Sequence, residues 1–237
     1  RDSSYSKSVI VLAAKPPPFE GFRLFLSKLN DGLMSDWPQE AIMEHGLSIE
    51  QLREMVSNLR KEGLNSQQIA DELSLSQDTI AWLLAGVSTT EKPKDVRIGW
   101  RTIGVRPQRI AAIGAIMADV VAEECGDSID TIVGISINGV LFANEVANQL
   151  GCEVAIHRNV DGSPGKGALS NKYGQVSGKR IVIVDDVLST GVTMSKTIES
   201  MREAGAEVAL CLVLVNKTVR NEIEEIPLRG IIRAAVV

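Results

Sequence analysis

Apolar residues recur along this chain with two different periods, and the change from one to the other divides it. From Ser48, Ile49, Leu52, Val56 and Leu59 fall at the three-to-four spacing of a helix face. Ser48 with Gln51 fits a capping box, and Gly63 ends the run. Asn65 or Ser66 then caps a second short helix through Leu73, Ser74-Leu75-Ser76 makes a turn, and Ser76 caps a third helix, Gln77–Ala85, that stops at Gly86. Beyond a Ser-, Thr- and Lys-containing stretch, Val87–Asp95, the pattern becomes one of short apolar strands alternating with longer helical segments. Strands are predicted at Val96–Trp100, Thr131–Ile135, Glu153–His157, Ile181–Val184, Ala206–Val215 and Leu228–Ala235. Helices are predicted at Pro107–Cys125, Val140–Leu150 and Thr193–Ala204, with a short excursion over Thr218–Ile226. This rhythm implies an α/β fold, a doubly wound and mostly parallel sheet, preceded by a small all-α domain. The expected division is 46–86 for the helical domain, 87–95 for a linker and 96–237 for the α/β domain. Residues 1–45, which begin with Arg and contain Pro16-Pro17-Pro18, read as a disordered arm or a gene-start artefact, with Met34 or Met43 as the native start.

The helical domain has the spacing of a helix-turn-helix. Ile69, Leu73, Leu75, Ile80 and Leu83 supply inward apolar positions, and Ala70 sits where the two helices must approach closely. The third helix would enter a major groove and present Ser76, Gln77, Asp78, Thr79, Ala81 and Trp82, with Ser66 as a further DNA contact. Gln77 can pair with adenine, and Thr79 can meet a phosphate or a thymine methyl. Charge does not drive this reading. Between residues 47 and 91, seven acids stand against three bases, whereas duplex binders usually neutralise phosphates with Lys and Arg. A three-helix packing or dimerisation module is the alternative for this segment.

Composition narrows the rest. The 237-residue chain carries a net charge of −5, which gives no global attraction to nucleic acid or anionic membranes. No apolar run approaches the length of a membrane span, and Ser8–Ala14 is too short and poorly flanked for a signal peptide. Cys125, Cys152 and Cys211 are widely spaced in apolar surroundings and read as buried hydrophobes in a reducing cytoplasm. With His45 and His157 far apart, no metal site held by the protein alone is expected.

The candidate chemistry concentrates in Ile181–Thr193, IVIVDDVLSTGVT. An apolar strand delivers two carboxylates, Asp185 and Asp186, to its end. Ser189, Thr190, Gly191, Val192 and Thr193 then turn the chain into a helix. Hydroxyls and free N–H groups at a helix start can cradle a phosphate, and Gly191 lets the backbone approach it. Because successive strand residues diverge, at least one of the two acids can reach vicinal hydroxyls beside that phosphate. A ribose 5-phosphate has both features. A nucleotide triphosphatase fits less well, since Gly178-Lys179 is followed by Arg180 and no P-loop occurs. One βα unit earlier, Ser136, Ile137, Asn138 and Gly139 form a second strand-to-helix turn and a second candidate anion site.

Ile181–Thr193 resembles the phosphoribosyl pyrophosphate (PRPP) motif of the type I phosphoribosyltransferases, and Ser136–Gly139 resembles that family's pyrophosphate loop. The helix-turn-helix joined to such a domain resembles a narrower group, the archaeal orotate phosphoribosyltransferase-like transcriptional regulators, some of which govern sugar-catabolism genes. The resemblance implies a sugar-phosphate site that serves as a sensor. Asp185 and Asp186 would hold ribose hydroxyls, Ser189–Thr193 the 5-phosphate and Ser136–Gly139 the pyrophosphate, with Mg²⁺ arriving on the ligand. PRPP, a related phosphosugar or a nucleotide is the implied effector, operator DNA the implied partner and a cytoplasmic homodimer the implied form. An active orotate or purine transferase is the alternative. Its catalytic cations would be Arg158, Lys166 and Lys172, in or beside the glycine-rich loop Asn159–Gly178. At the strand end, however, Arg158 is followed by Asn159 where orotate-type enzymes carry an Arg-Lys pair.

Overall fold

The alternation that marks 131–216 as buried strands is realised residue by residue in two separate cores. The structure, a computed structural model, describes residues 48–86, 93, 95–135, 137–159 and 167–234. Strand β1 (Thr131–Ile135) and strand β4 (Arg180–Leu188) lie side by side in parallel. Ile132, Val182 and Val184 point into one core with helices α5 (Pro107–Cys125) and α6 (Asn138–Leu150). Val133, Ile135, Ile181 and Ile183 point into the other, with helix α7 (Val192–Glu203) and its Met194, Ile198 and Met201. Each such fully buried side chain contributes about 1.5–3 kcal/mol, so both faces of the sheet must stay covered.

Strand β2 (Glu153–Asn159) flanks β1, strand β5 (Glu207–Asn216) flanks β4, and strand β7 (Ile226–Arg233) follows β5, all in parallel. Two short antiparallel strands close the edges: β3 (Gly167–Leu169) on β2 and β6 (Glu222–Ile223) on β7. Among the described residues the order is β3-β2-β1-β4-β5-β7-β6.

The helix-turn-helix forms as its spacing predicts, from α1 (Ile49–Lys61), α2 (Ser66–Leu73) and α3 (Gln77–Ala85). Ser48 and Asn65 both make reciprocal capping boxes, and Ser76 caps α3. Val56, Ile69, Ala70, Leu73, Leu75, Ile80 and Leu83 close a third core that belongs to these helices alone. Ser74 makes the sharp turn in the left-handed region at φ 52°.

Several expectations differ from the fold. Val96–Trp100 forms no strand; Ile98 and Trp100 pack on the α5–α6 side of the sheet, and a four-residue helix α4 (Arg101–Gly104) follows. Both sheet edges are already taken by β3 and β6, and the indole Nε1 of Trp100 donates to Ser74 Oγ at 2.7 Å. The loop Asn159–Gly178 contains β3, and β4 runs four residues beyond Val184 because its pairing with β5 continues to Leu188 and Asn216. Of the cysteines, only Cys211 is fully buried; Cys125 and Cys152 are half-buried. The segment 1–45 with its start-site expectation lies outside the described residues. No helix among the described residues is long and apolar enough to cross a membrane.

Candidate functional site

The chain reverses its direction of winding between β1 and β4. From β1 the crossover leads outward to β2, and from β4 it leads the other way to β5. A crevice opens at the carboxyl ends of strands at such a switch point. Here β1 pairs with β4 only as far as Val184, while β4 continues alongside β5. Asp185 and Asp186 therefore stand on the part of β4 that has lost its β1 neighbour.

The first turn of α6 fills the space beside them. A Cβ on Gly139 would lie 2.6 Å from the Val184 carbonyl oxygen and 2.9 Å from Asp185 Oδ1, so only glycine seats this helix against the acids. The Asp186 N–H donates to Asp185 Oδ1 at 2.9 Å, and the Val187 N–H donates to Asp186 Oδ1 at 2.8 Å. Burial raises the Asp185 pKa well above the usual carboxylate range, and the neighbouring Asp186 charge adds to it. Burial also raises Asp186, against backbone hydrogen bonds and Asn138 that hold it down. Two carboxylates crowded in this way favour a ligand that brings hydroxyl donors or a cation.

Ser189, Thr190 and Gly191 lead from β4 into α7. Gly191 adopts φ 89° and is the N-cap residue, so α7 has no side-chain cap. The N-cap residues of α7 and α6 give no side-chain cap, in contrast to all three helices of the helix-turn-helix, and in α7 the Val192 N–H meets only the Thr190 hydroxyl, at 3.4 Å. The first N–H groups of both helices are donors suited to an anion. Behind the loop, the Thr197 hydroxyl donates to the Thr193 carbonyl at 2.9 Å and lies 3.3 Å from Nδ1 of buried His157. Burial lowers the His157 pKa to about 4, and its Nε2 has no hydrogen-bond partner among the described residues.

These elements enclose a cavity of about 250 Å³. Ile137, Asn138, Asp185, Asp186 and the whole of Ser189–Thr193 line it, while Gly139 sits behind the wall; Ser136 lies outside the described residues. Arg158 and Lys172 do not line it. Arg158 donates to Ser170 Oγ at 3.0 Å, Lys172 is exposed, and Lys166 lies outside the described residues.

The opposite wall comes from the helix-turn-helix: Gln67, Ala70, Asp71 and the stretch Ser74–Asp78. Three candidate DNA contacts, Ser76, Gln77 and Asp78, thus share the cavity with the candidate phosphate loop. Thr79 is buried, and its hydroxyl donates to Asp95 Oδ2 at 2.8 Å. Trp82 is half-buried, with the Arg53 guanidinium 5.3 Å over its ring. Ala81 is exposed, and Ser66 Oγ accepts from Arg60 at 3.4 Å.

Residues 99–231 match the phosphoribosyl transferase domain family. The sheet is similar to that of an adenine phosphoribosyltransferase from Thermoanaerobacter pseudethanolicus, with a TM-score of 0.50 at 20% identity, covering 61% of this chain and 91% of that one. This likeness is one of fold. The transcriptional regulator GfcR of Thermoplasma acidophilum is 37% identical over 194 residues, covering 80% of this chain and 98% of the relative. The chain belongs to the GfcR family of transcriptional regulators. The GfcR of Archaeoglobus fulgidus is 36% identical over 190 residues, covering 78% of this chain and 96% of its own length. These alignments are too long to lie within the 99–231 match alone, so kinship with the GfcR regulators reaches beyond the phosphoribosyltransferase-type domain.

Sequence reasoning missed the residues of this GfcR family member that join the two domains. Lys217 Nζ donates to the Ser74 carbonyl at 2.8 Å and pairs with Asp95 Oδ1 at 3.0 Å. Asp95 Oδ2 accepts from the Ser76 N–H at 2.7 Å. Burial alone would raise the Asp95 carboxyl, but the Ser76 N–H, the Lys217 ammonium and the Thr79 hydroxyl outweigh it and hold the pKa below its ordinary value. A lone Asp in a linker and a Lys after a strand carry no pattern that marks such a contact. Asp71 was missed for the same reason.

Proposed function

We propose that this transcriptional regulator binds DNA through α2 and α3 and senses a phosphorylated sugar, PRPP or a related phosphosugar or nucleotide, in the cavity at the ends of β1 and β4. One observation carries this reading. Paired carboxylates, a hydroxyl-bearing loop and two helix starts without an N-cap side chain converge on one cavity at the switch point of the sheet.

Ser189, Thr190 and Thr193, with the first N–H groups of α7, hold the 5-phosphate in this reading. Asp185 and Asp186 accept from the ribose hydroxyls, and Ile137, Asn138 and the first N–H groups of α6 face the pyrophosphate. Hard carboxylate and hydroxyl oxygens suit a hard divalent cation. In this reading Mg²⁺ arrives on the ligand and neutralises part of its charge. The regulated genes are those of central metabolism, with sugar catabolism as the expectation, and the working form is a cytoplasmic homodimer matching a two-fold operator.

Isothermal titration with Mg²⁺-PRPP tests the effector site. Wild-type protein should give a saturable heat that Asp186→Asn and Thr190→Val each weaken about tenfold, the loss of a charge-assisted contact. Equal affinity in the wild type and both variants would overturn the assignment. Incubation with orotate or adenine in the same buffer distinguishes a transferase: release of pyrophosphate at an enzyme-like rate would favour the catalytic alternative.

A further inference from the structure

The helix-turn-helix closes its own hydrophobic core, yet it meets the rest of the chain at the effector cavity. Asp71, Ser76, Gln77 and Asp78 face Ser189–Thr193 across a cavity of about 250 Å³. The contact is pinned by a polar joint. Lys217 and Asp95 are almost wholly buried, with 6% and 8% of their side chains exposed, and together they hold Ser74 and Ser76 in the turn. The same Lys217 donates its backbone N–H to the carbonyl of Leu188 at 2.9 Å, immediately before the candidate phosphate loop. A second cavity, also lined by Asp78, Ser189, Thr190 and Lys217, brings the same three parts together on another side of the loop.

Two physical consequences follow. A recognition helix reads DNA with its N-terminal residues inside a major groove about 12 Å wide and 8.5 Å deep. Ser76 is half-buried, and Gln77 and Asp78, though exposed, line the same cavity as the phosphate loop, so a groove wall entering at this end of α3 would meet the body of the protein. The cavity lining also carries four aspartates, Asp71, Asp78, Asp185 and Asp186, and no Lys, Arg or His among the described residues. A sugar bearing both a monoester phosphate and a pyrophosphate remains anionic with one divalent cation bound. It therefore meets like charge on the helix-turn-helix wall.

We infer that the docked helix-turn-helix is the DNA-free form, and that an anionic phosphosugar in the cavity works against Asp71 and Asp78 to release the turn from Lys217 and free α3 for DNA. This rests on the effector reading above. Asp71 then sets how strongly occupancy is felt, and DNA must in return tighten effector binding by the same factor.

Hydrogen-exchange mass spectrometry of the full chain reads the release directly, through peptides spanning Asp71–Ile80. Ribose 5-phosphate and Mg²⁺-PRPP serve as probes, with calorimetry in the same buffers. Each probe that binds should speed exchange at Ser74–Thr79 by about fivefold or more. Lys217→Met should raise this exchange with no ligand present, and it should raise affinity for duplex DNA from the protein's own upstream region. Trp100→Phe, a milder change at the same joint, should do both to a smaller degree. Asp71→Asn should bind ribose 5-phosphate several-fold more tightly while the ligand-driven rise in exchange shrinks. Binding heat without faster exchange at the turn overturns the inference, as does unchanged duplex affinity in folded Lys217→Met and Trp100→Phe. If neither probe gives heat, the effector reading fails, and the two joint variants still decide whether the docked form excludes DNA.

Discussion

Gly139 shows how one residue fixes the geometry of the crevice. Its missing side chain lets the start of α6 touch Asp185, and a methyl group there would press on β4 backbone that cannot move aside. Gly139→Ala should destabilise the fold by about 1–3 kcal/mol in urea denaturation, the range for overpacking, and weaken PRPP binding with it. His157 sets a pH dependence. Its pKa falls from 6.5 to about 4 through burial, so the folded state resists the proton that the unfolded chain accepts. Stability is full above about pH 6.5 and is lost as pH falls toward 4, by on the order of 3 kcal/mol. Urea midpoints at pH 7 and pH 4.5 measure the loss, against a His157→Gln variant whose midpoint should fall less over the same range. That Asp185, Asp186 and Gly191 lie together was legible in the sequence, because a buried strand running into a small-residue turn is a local pattern. His157 looked like an ordinary strand end, since its pairing with Thr197 bridges forty residues.

At the scale of elements, strands buried on both faces were the most readable part of the chain. Thr131–Ile135 and Ile181–Val184 are continuous apolar runs because each residue faces one of two cores. The three residues of β3 carry no such run; their place is set by pairing with β2 and by Leu169 packing on the core under α7. Val96–Trp100 alternates like a strand, yet its Trp100 is held against Ser74 and Phe142. Periodicity reports which face is buried, not what buries it. The helix-turn-helix was legible from its caps, and these contribute measurably. Asn65→Ala removes the side-chain acceptor that caps the Gln68 N–H at the start of α2, and leaves the backbone N–H of residue 65 to donate to Gln68. It should lower the stability of the helical unit by about 1 kcal/mol, seen as an earlier loss of helical circular dichroism on heating.

At the scale of the molecule, this member of the GfcR family joins a helix-turn-helix to a phosphoribosyltransferase-type sheet, and the structure brings the two to a single cavity. That a small helical part precedes the α/β sheet could be read from the change in hydrophobic period, but the contact between them could not. Lys217 and Ser74 are 143 residues apart in sequence, and neither belongs to a motif. The proposed division places a linker at 87–95, and limited proteolysis should cut there first and leave a protected fragment that begins near Val96. On the proposed reading, one protein couples operator binding to a phosphosugar. Fluorescence anisotropy with DNA from the protein's own upstream region, run at physiological salt and followed by titration with Mg²⁺-PRPP, tests it most directly. Sequence-selective binding that strengthens as PRPP is added is the expected result. Absence of DNA binding even at low salt, or selective binding that PRPP leaves unchanged, would contradict it.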